Sequence, residues 1–329
     1  MKYNTTEHSS LTRRTLLKSL SSCTLVSAIS GFPGTSGLPG IGGPIHCCSP
    51  KPAQAIEPMN RIAPSRMRLS LAAYSLRDLL KGNKDGWDLF KFVDYCHLQG
   101  LDGAELTSYY FPTDVTDTYI AELKEHCHRR GVTVSGGAIA NDFCQIDDVK
   151  RNRDIEYTKQ WIDRYALLGG NVIRVFAGNQ PKGDDWKSTV DRCVEALVDV
   201  STYAHSKGIF LALENHGGVT AKADGLLEIV RKVEAPGFGV NFDSGNFRST
   251  ENPYAELESI APYAVNAQIK VEMFPNGERE LADLDRIVKI LANSNYSGWL
   301  ALEYEAAENP LEAIPGWIAK IKNSLKALT

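Results

Sequence analysis

The chain has no CxxC pair, no GxGxxG run and no GxSxG elbow. The first absence removes the usual zinc-knuckle and dithiol redox motifs. The second argues against a Rossmann dinucleotide site, and the third against an α/β-hydrolase, despite an HGG at 216–218. Charge of one sign is also lacking. Thirty-six Lys and Arg stand against 40 Asp and Glu, a formal net charge of -4 with pI near 6.0. That balance gives no electrostatic reason to expect nucleic acid or an anionic membrane surface as a partner. Histidine is scarce at seven, and only five lie beyond residue 60: His97, His126, His128, His205 and His216. A long apolar run is missing as well. The stretch from Leu16 to Phe32 is interrupted by Lys18 and several serines, so it is too short and too polar for an integral membrane span.

What is present divides into three segments. Residues 1–32 carry Arg13-Arg14 ahead of that mildly apolar stretch, the order of a twin-arginine export signal. Residues 33–65 are rich in Gly, Pro and Ser and read as a flexible linker, with Ala53 to Ala55 a candidate cleavage site. The expectation is export to a periplasmic or other extracytoplasmic place; a disordered cytoplasmic N-terminus is the alternative. Residues 66–329 have globular patterning. Of the seven cysteines, Cys23, Cys47 and Cys48 precede this region. Cys96, Cys127 and Cys193 sit in helical patterns, where buried free thiols are expected. The pairing of Cys144 and the others is not fixed by spacing.

From Met67 onward one grammar repeats. CHLQGLDGAEL (96–106), CHRRGVTVSGG (127–137) and AHSKGIFLALE (204–214) each run from a polar helix end through glycine into a β-rich run. Gly100, Gly131 and Gly208 suit the left-handed cap that ends a helix. Eight strands are expected at 68–74, 102–106, 132–139, 171–177, 209–214, 238–243, 265–271 and 298–305. Helices are expected at 87–98, 118–130, 155–169, 188–206, 283–294 and 314–328, from apolar i, i+3, i+4 spacing. Strict β/α alternation implies a parallel sheet. Eight units in about 260 residues imply an α/β fold of the (β/α)8 TIM-barrel type, with an open doubly wound sheet as runner-up.

Several strands finish on polar groups. Glu214 ends the fifth, Asp243 the sixth and Glu303 the eighth, while Gln268 lies in the seventh. In a barrel these strands are consecutive, and the active site lies at their C-terminal ends. Buried carboxylates are costly unless paired or metal-bound, so their convergence points to a cation. Four oxygen donors suit Mn²⁺ or Mg²⁺ better than Zn²⁺.

LENHGG, NFDSGN and LEYE at these strand ends, with GAELTSYYFP (103–112) and LSLAAYSL (69–76), resemble the xylose isomerase-like TIM-barrel family of sugar phosphate isomerases and epimerases. The resemblance covers roughly residues 67–329. It implies one divalent metal held by Glu214, Asp243, Gln268 and Glu303. The third position is usually a His two residues before a Lys; here it is Gln268 before Lys270. The implied chemistry is isomerisation or epimerisation of a small sugar or sugar-derived substrate through an enediolate. Glu214 and Glu303 would move the proton and Lys270 would stabilise the oxyanion. His216, Glu105 and Arg174 are candidate substrate contacts. Glu105 with Arg174 as a structural ion pair is the bland alternative, and Glu305 competes with Glu303 for its role. Tyr74, Tyr109, Tyr110 and Phe143 are candidate walls; Trp161, Tyr165 and Tyr203 read as core.

Rival functions are a metal-dependent lyase (an inosose-type dehydratase or keto-glycoside deglycosidase) and a non-catalytic sugar-binding barrel. The scarcity of histidine argues against the multi-zinc endonuclease branch of the superfamily. Export would favour an unphosphorylated substrate. A homo-oligomer remains a candidate assembly.

Overall fold

The computed structural model describes residues 58–328. The expected export signal and most of the linker lie outside them. Eight strands among the described residues close into a parallel barrel: β1 Met67–Ala72, β2 Gly103–Thr107, β3 Thr133–Ala138, β4 Val172–Val175, β5 Phe210–Glu214, β6 Phe238–Asp243, β7 Ala264–Ile269 and β8 Gly298–Leu302. Around the wall they run in chain order, and β8 pairs with β1 to complete the circle. This is a TIM barrel, as the β/α rhythm predicts.

Among the described residues, eight helices longer than a single turn alternate with the strands: α1 Leu89–Leu98, α2 Asp117–Arg130, α3 Asp148–Leu168, α4 Trp186–Ser206, α5 Ala223–Lys232, α6 Pro253–Ile260, α7 Leu284–Asn293 and α8 Pro310–Lys326; a single turn at Arg77–Leu80 precedes them. Their starts are written in the sequence. The side chains of Asp88, Thr116, Asp147, Asp185, Asn252, Asp283 and Asn309 each accept a hydrogen bond from a first-turn N–H, which satisfies a donor the helix leaves open. Gly100, Gly131 and Gly208 all take positive φ where α1, α2 and α4 end. In α4, Val190, Cys193, Leu197, Val200 and Ala204 form one buried stripe against the barrel wall.

Two helices, α5 and α6, were not expected from the sequence. They are short, at 10 and 8 residues, so they offer few turns of periodicity. Gly225 interrupts one and Pro253 opens the other. Conversely, α3 starts seven residues before its expected N-terminus, because its first two turns, DVKRNRD, are almost wholly polar.

Cys96, Cys127, Cys144 and Cys193 are free and buried. Trp161 and Tyr165 are buried in the core, and Tyr203 packs against it. Phe143 is also fully buried in the core, so the expectation that it walls a pocket is corrected. No helix among the described residues is long and apolar enough to cross a membrane.

Residues just after Pro58 lie against the barrel foot. Met59 N–H donates to the Pro262 carbonyl at 3.0 Å, and the Arg61 guanidinium reaches the carbonyls of Ser294 and Ala264.

Candidate functional site

Strands β2 and β4 to β8 carry two layers of polar side chains inside the barrel. The deeper layer is built from β2, β6 and β7. Because successive strand residues alternate between faces, Asn241 shares the inward face with Asp243, and Asn266 with Gln268. Glu105 reaches them across the interior from β2.

These four side chains form a closed ring of hydrogen bonds. Gln268 Nε2 donates to Glu105 Oε1 at 2.7 Å, and Asn241 Nδ2 donates to Gln268 Oε1 at 2.6 Å. Asn266 Nδ2 donates to Asn241 Oδ1 at 2.8 Å and to Glu105 Oε2 at 3.1 Å. All four residues are buried. Burial and the nearby Glu303 carboxylate push Glu105 up to about 7, although the two amide donors pull the other way.

The upper layer is charged. Glu214 stands at the end of β5. Its Oε1 accepts from Asn246 Nδ2 at 2.8 Å and lies 2.9 Å from His216 Nδ1. Its Oε2 lies 2.8 Å from Arg174 Nε on β4. That contact misses hydrogen-bond alignment, so both atoms are buried without a hydrogen bond and attract as charges. Burial opposes ionisation of Glu214, but Arg174 and His216 outweigh it and hold the carboxyl below its ordinary range. The Arg174 guanidinium also donates to the Ile139 carbonyl at 2.8 Å and covers the Phe176 ring at 4.0 Å. His216 lies on the other part of that site, its ring 4.2 Å from Phe176.

Lys270 follows β7 and sits among carboxylates. Its Nζ is 3.5 Å from Asp243 Oδ2 and 3.6 Å from Glu303 Oε2, and it bonds closely to Glu305. Asp243 Oδ2 is buried with no hydrogen bond, while Oδ1 accepts from the Gly245 N–H at 2.8 Å. Burial pushes Asp243 well up, Lys270 opposing, with Glu214 and Glu303 adding to the rise. Glu303 is likewise raised, by burial first and then by Glu214 and Glu305 against the pull of Lys270. The stem of Lys270 is seated by sequence: a Cβ on Gly245 would lie 2.9 Å from Lys270 Cβ and Cδ, a close approach that only glycine permits. Ser244 accepts from the Lys270 backbone N–H at 2.8 Å.

The site residues expected from the sequence therefore separate. Glu214, Arg174 and His216 meet in one group; Asp243, Glu303, Lys270 and Glu305 meet in another. Arg174 pairs with Glu214 and not with Glu105. Gln268 and Glu105 belong to the deeper ring. Asn246, Asn241 and Asn266 were not singled out from the sequence, although the last two lie two residues before Asp243 and Gln268, where strand alternation would have found them. Asn215 also went unread. Its side chain clamps the end of β6 by donating to the Asp243 carbonyl and accepting from the Asp243 N–H, both at 2.9 Å.

Above these layers the mouth is open. One cavity of about 220 Å³ is lined by Arg77, Arg248, Lys270, Phe274 and Glu305, and an adjoining one of about 350 Å³ by His216, Asn246, Arg248, Lys270 and Glu305. Tyr109, 40 % exposed, places its hydroxyl 3.4 Å from the Arg174 guanidinium.

The family described as xylose isomerase-like TIM barrel matches residues 93–326. The chain belongs to this family. Solved structures agree on the fold. A xylose isomerase domain protein from Planctomyces limnophilus is 17% identical, covering 80% of this chain and 95% of its own, with a TM-score of 0.57. The 3-keto-D-glucoside 4-epimerase from E. coli is 14% identical over 78% of this chain and 100% of its own, with a TM-score of 0.63. The IOLI protein, solved with a zinc atom, is 18% identical over 79% and 96%, with a TM-score of 0.61. No curated protein matches the sequence significantly.

The side chains at these strand ends do not fit a divalent ion as expected. No group of three or more His, Cys, Asp or Glu among the described residues is arranged to hold a metal. Both amide atoms of Gln268 are engaged in the ring. Each of the three carboxylates already faces a buried cation, Arg174 for Glu214 and Lys270 for Asp243 and Glu303.

Proposed function

We propose that the protein is a sugar isomerase or epimerase that moves a proton on a carbon next to a carbonyl. Its substrate is a small sugar or sugar-derived molecule bound at the mouth of the barrel. The observation that carries this reading is the opposite tuning of two buried carboxyls. Glu214 is held ionised by Arg174 and His216, whereas Glu303 is raised by burial and by its acidic neighbours. A pair of carboxyls pushed apart in this way, near enough for the charge of one to act on the other, supplies one base and one acid.

The roles follow from those environments. Glu214, as carboxylate, removes the proton beside the carbonyl. Glu303, whose hold on a proton is strengthened by burial and by its acidic neighbours, returns one to the neighbouring position or to the opposite face. Lys270 Nζ lies between Asp243 and Glu303, where it can donate to the enediolate oxygen as negative charge develops there. His216 and Asn246, both on Glu214 Oε1, orient the base. The family match and the sugar epimerases among the solved structures of this fold support the same substrate class.

The test is exchange in deuterated water. The full chain is incubated with a panel of keto-sugars and keto-sugar acids, and deuterium at the carbon beside the carbonyl is followed by NMR. Exchange that disappears in Glu303→Gln and Glu214→Gln is the expected result. A sugar that binds the folded protein yet shows neither exchange nor conversion would overturn the reading in favour of a binding barrel. Release of water or an aglycone would reassign the same proton abstraction to a lyase.

A further inference from the structure

We infer that the ammonium of Lys270 takes the place of a divalent cation at this barrel mouth, so that the site works on a fixed organic cation and holds no metal. The role of the ammonium rests on the proton-transfer reading above; the statement about metal does not.

The argument begins with Gln268. An amide at a strand end can offer its oxygen to a metal only if that oxygen is free or can be turned. Here it is neither. Both Glu105 oxygens accept from amides, Oε1 from Gln268 Nε2 and Oε2 from Asn266 Nδ2, so the N–H sides of Gln268 and Asn266 face it. Gln268 Oε1 is thereby directed at Asn241 Nδ2, and Asn241 Oδ1 at Asn266 Nδ2. The ring is self-consistent in one sense only. Turning the Gln268 amide would set its N–H against the Asn241 N–H and its oxygen against a Glu105 oxygen. The seventh strand thus contributes a deep structural link where a metal site needs a ligand.

The carboxylates lead to the same conclusion. Three buried acids from three strands require positive charge nearby. Lys270 meets that need for Asp243 and Glu303, and additionally for Glu305. Arg174 meets it for Glu214. The ammonium is not a surface group folded inward by chance. Lys270 is 6 % exposed, its backbone N–H is fixed by Ser244, and its stem fits the space left at Gly245. A fixed N–H donor beside a developing oxyanion needs no reorganisation during the reaction, and a dry, low-dielectric surrounding strengthens it.

The experiment uses the full chain, purified without added metal. Bound metal is measured by elemental analysis, and melting temperature is followed with Mn²⁺, Mg²⁺ or Zn²⁺ at millimolar concentration and with EDTA. The expected result is no stoichiometric metal and an unmoved melting temperature. Lys270→Ala is expected to respond differently: with the ammonium gone, Mn²⁺ should raise its melting temperature by about 5 °C or more, as tight binding to the native state requires. Stoichiometric metal in the wild type, or a comparable rise in it with Mn²⁺, would overturn the inference. So would Lys270→Ala that folds and ignores all three ions, because the carboxylates would then not be a cation site at all. If Lys270→Ala folds only when Mn²⁺ is present during refolding, the inference is supported; if it never folds, the wild-type titration decides alone. None of these readings uses turnover, so a failure here is separable from a failure of the exchange experiment.

Discussion

The barrel holds two polar layers a few ångströms apart, and they solve the problem of burial in opposite ways. In the deeper layer, Glu105, Asn241, Asn266 and Gln268 satisfy one another through a closed ring. In the upper layer, Glu214 Oε2 and Asp243 Oδ2 are buried with no hydrogen bond, held only by the charges of Arg174 and Lys270. A satisfied network specifies a structure. Oxygens left short of donors keep their capacity to accept a hydrogen bond, which the proposed function assigns to a substrate hydroxyl. The difference teaches that inward-facing polar residues at strand ends are not one class. Those in the ring satisfy one another, and those above it keep buried oxygens without a hydrogen bond.

The largest effect that would sharpen this comparison is on rate. Glu303→Gln keeps volume but cannot cycle a proton, and it should lower exchange or conversion by roughly 10²–10⁴-fold. The reverse change at Gln268, Gln268→Glu, places a second carboxyl beside Glu105 and should act on folding first. If Glu303→Gln leaves turnover intact, the upper layer is not the proton carrier and the comparison breaks. Next in size is the loss of a buried cation. Arg174→Met strands Glu214 without its partner and should cost about 3–5 kcal/mol in unfolding free energy, measured by denaturant titration. A cost below about 1 kcal/mol would mean that Glu214 is solvated or protonated and that the pairing carries little.

The third prediction concerns pH and isolates the deeper layer. Glu105 sits at about 7 in the folded chain, against an unfolded value of about 4.3. Between those limits the native state binds more protons than the unfolded state. Stability is therefore greatest below the unfolded value and falls as pH rises toward 7, with a ceiling of roughly 4 kcal/mol. Asp243 and Glu303 are shifted in the same direction, and Glu214 in the opposite one. The contribution of Glu105 is read as the difference between wild type and Glu105→Gln across pH 4 to 8. The expected outcome is a flatter profile in the variant; parallel profiles would show that Glu105 titrates alike in the folded and unfolded chain.

Much of this architecture is readable in the residues. The β/α rhythm is visible because parallel strands buried on both faces are apolar runs, and because glycines mark where α1, α2 and α4 end. Helices α5 and α6 escape because 8 to 10 residues give too few repeats. At the site, the sequence identifies which strand ends are polar, since Glu214, Asp243 and Glu303 interrupt runs of Leu, Val and Phe. It does not say which partner each one takes. Glu105 reaching Gln268 spans 163 residues of separation, and no local pattern encodes that contact. A glutamine at a strand end reads equally as ligand or as link until the amides facing it are placed. Asn241 and Asn266 were the available signal, two polar residues on the inward parity of otherwise apolar strands.

The smallest expected effect separates the layers most cleanly. Asn266→Ala opens the ring by removing donors to Glu105 Oε2 and Asn241 Oδ1. Each acceptor left buried and unpaired costs about 1–3 kcal/mol, lessened if water enters the space vacated by the amide. Melting temperature should fall by several degrees, while the rate of the folded enzyme at a temperature well below the transition should change by only a few-fold. The ring residues line neither mouth cavity, and Lys270, Glu214 and Glu303 keep their own partners above it. A loss of rate as large as that of Glu303→Gln, at unchanged stability, would mean that Glu105 tunes Glu303 directly, because Glu303 is among the charges that raise it. The two layers would then form one electrostatic unit, and Glu105 would join the proton-transfer machinery as a positioning residue.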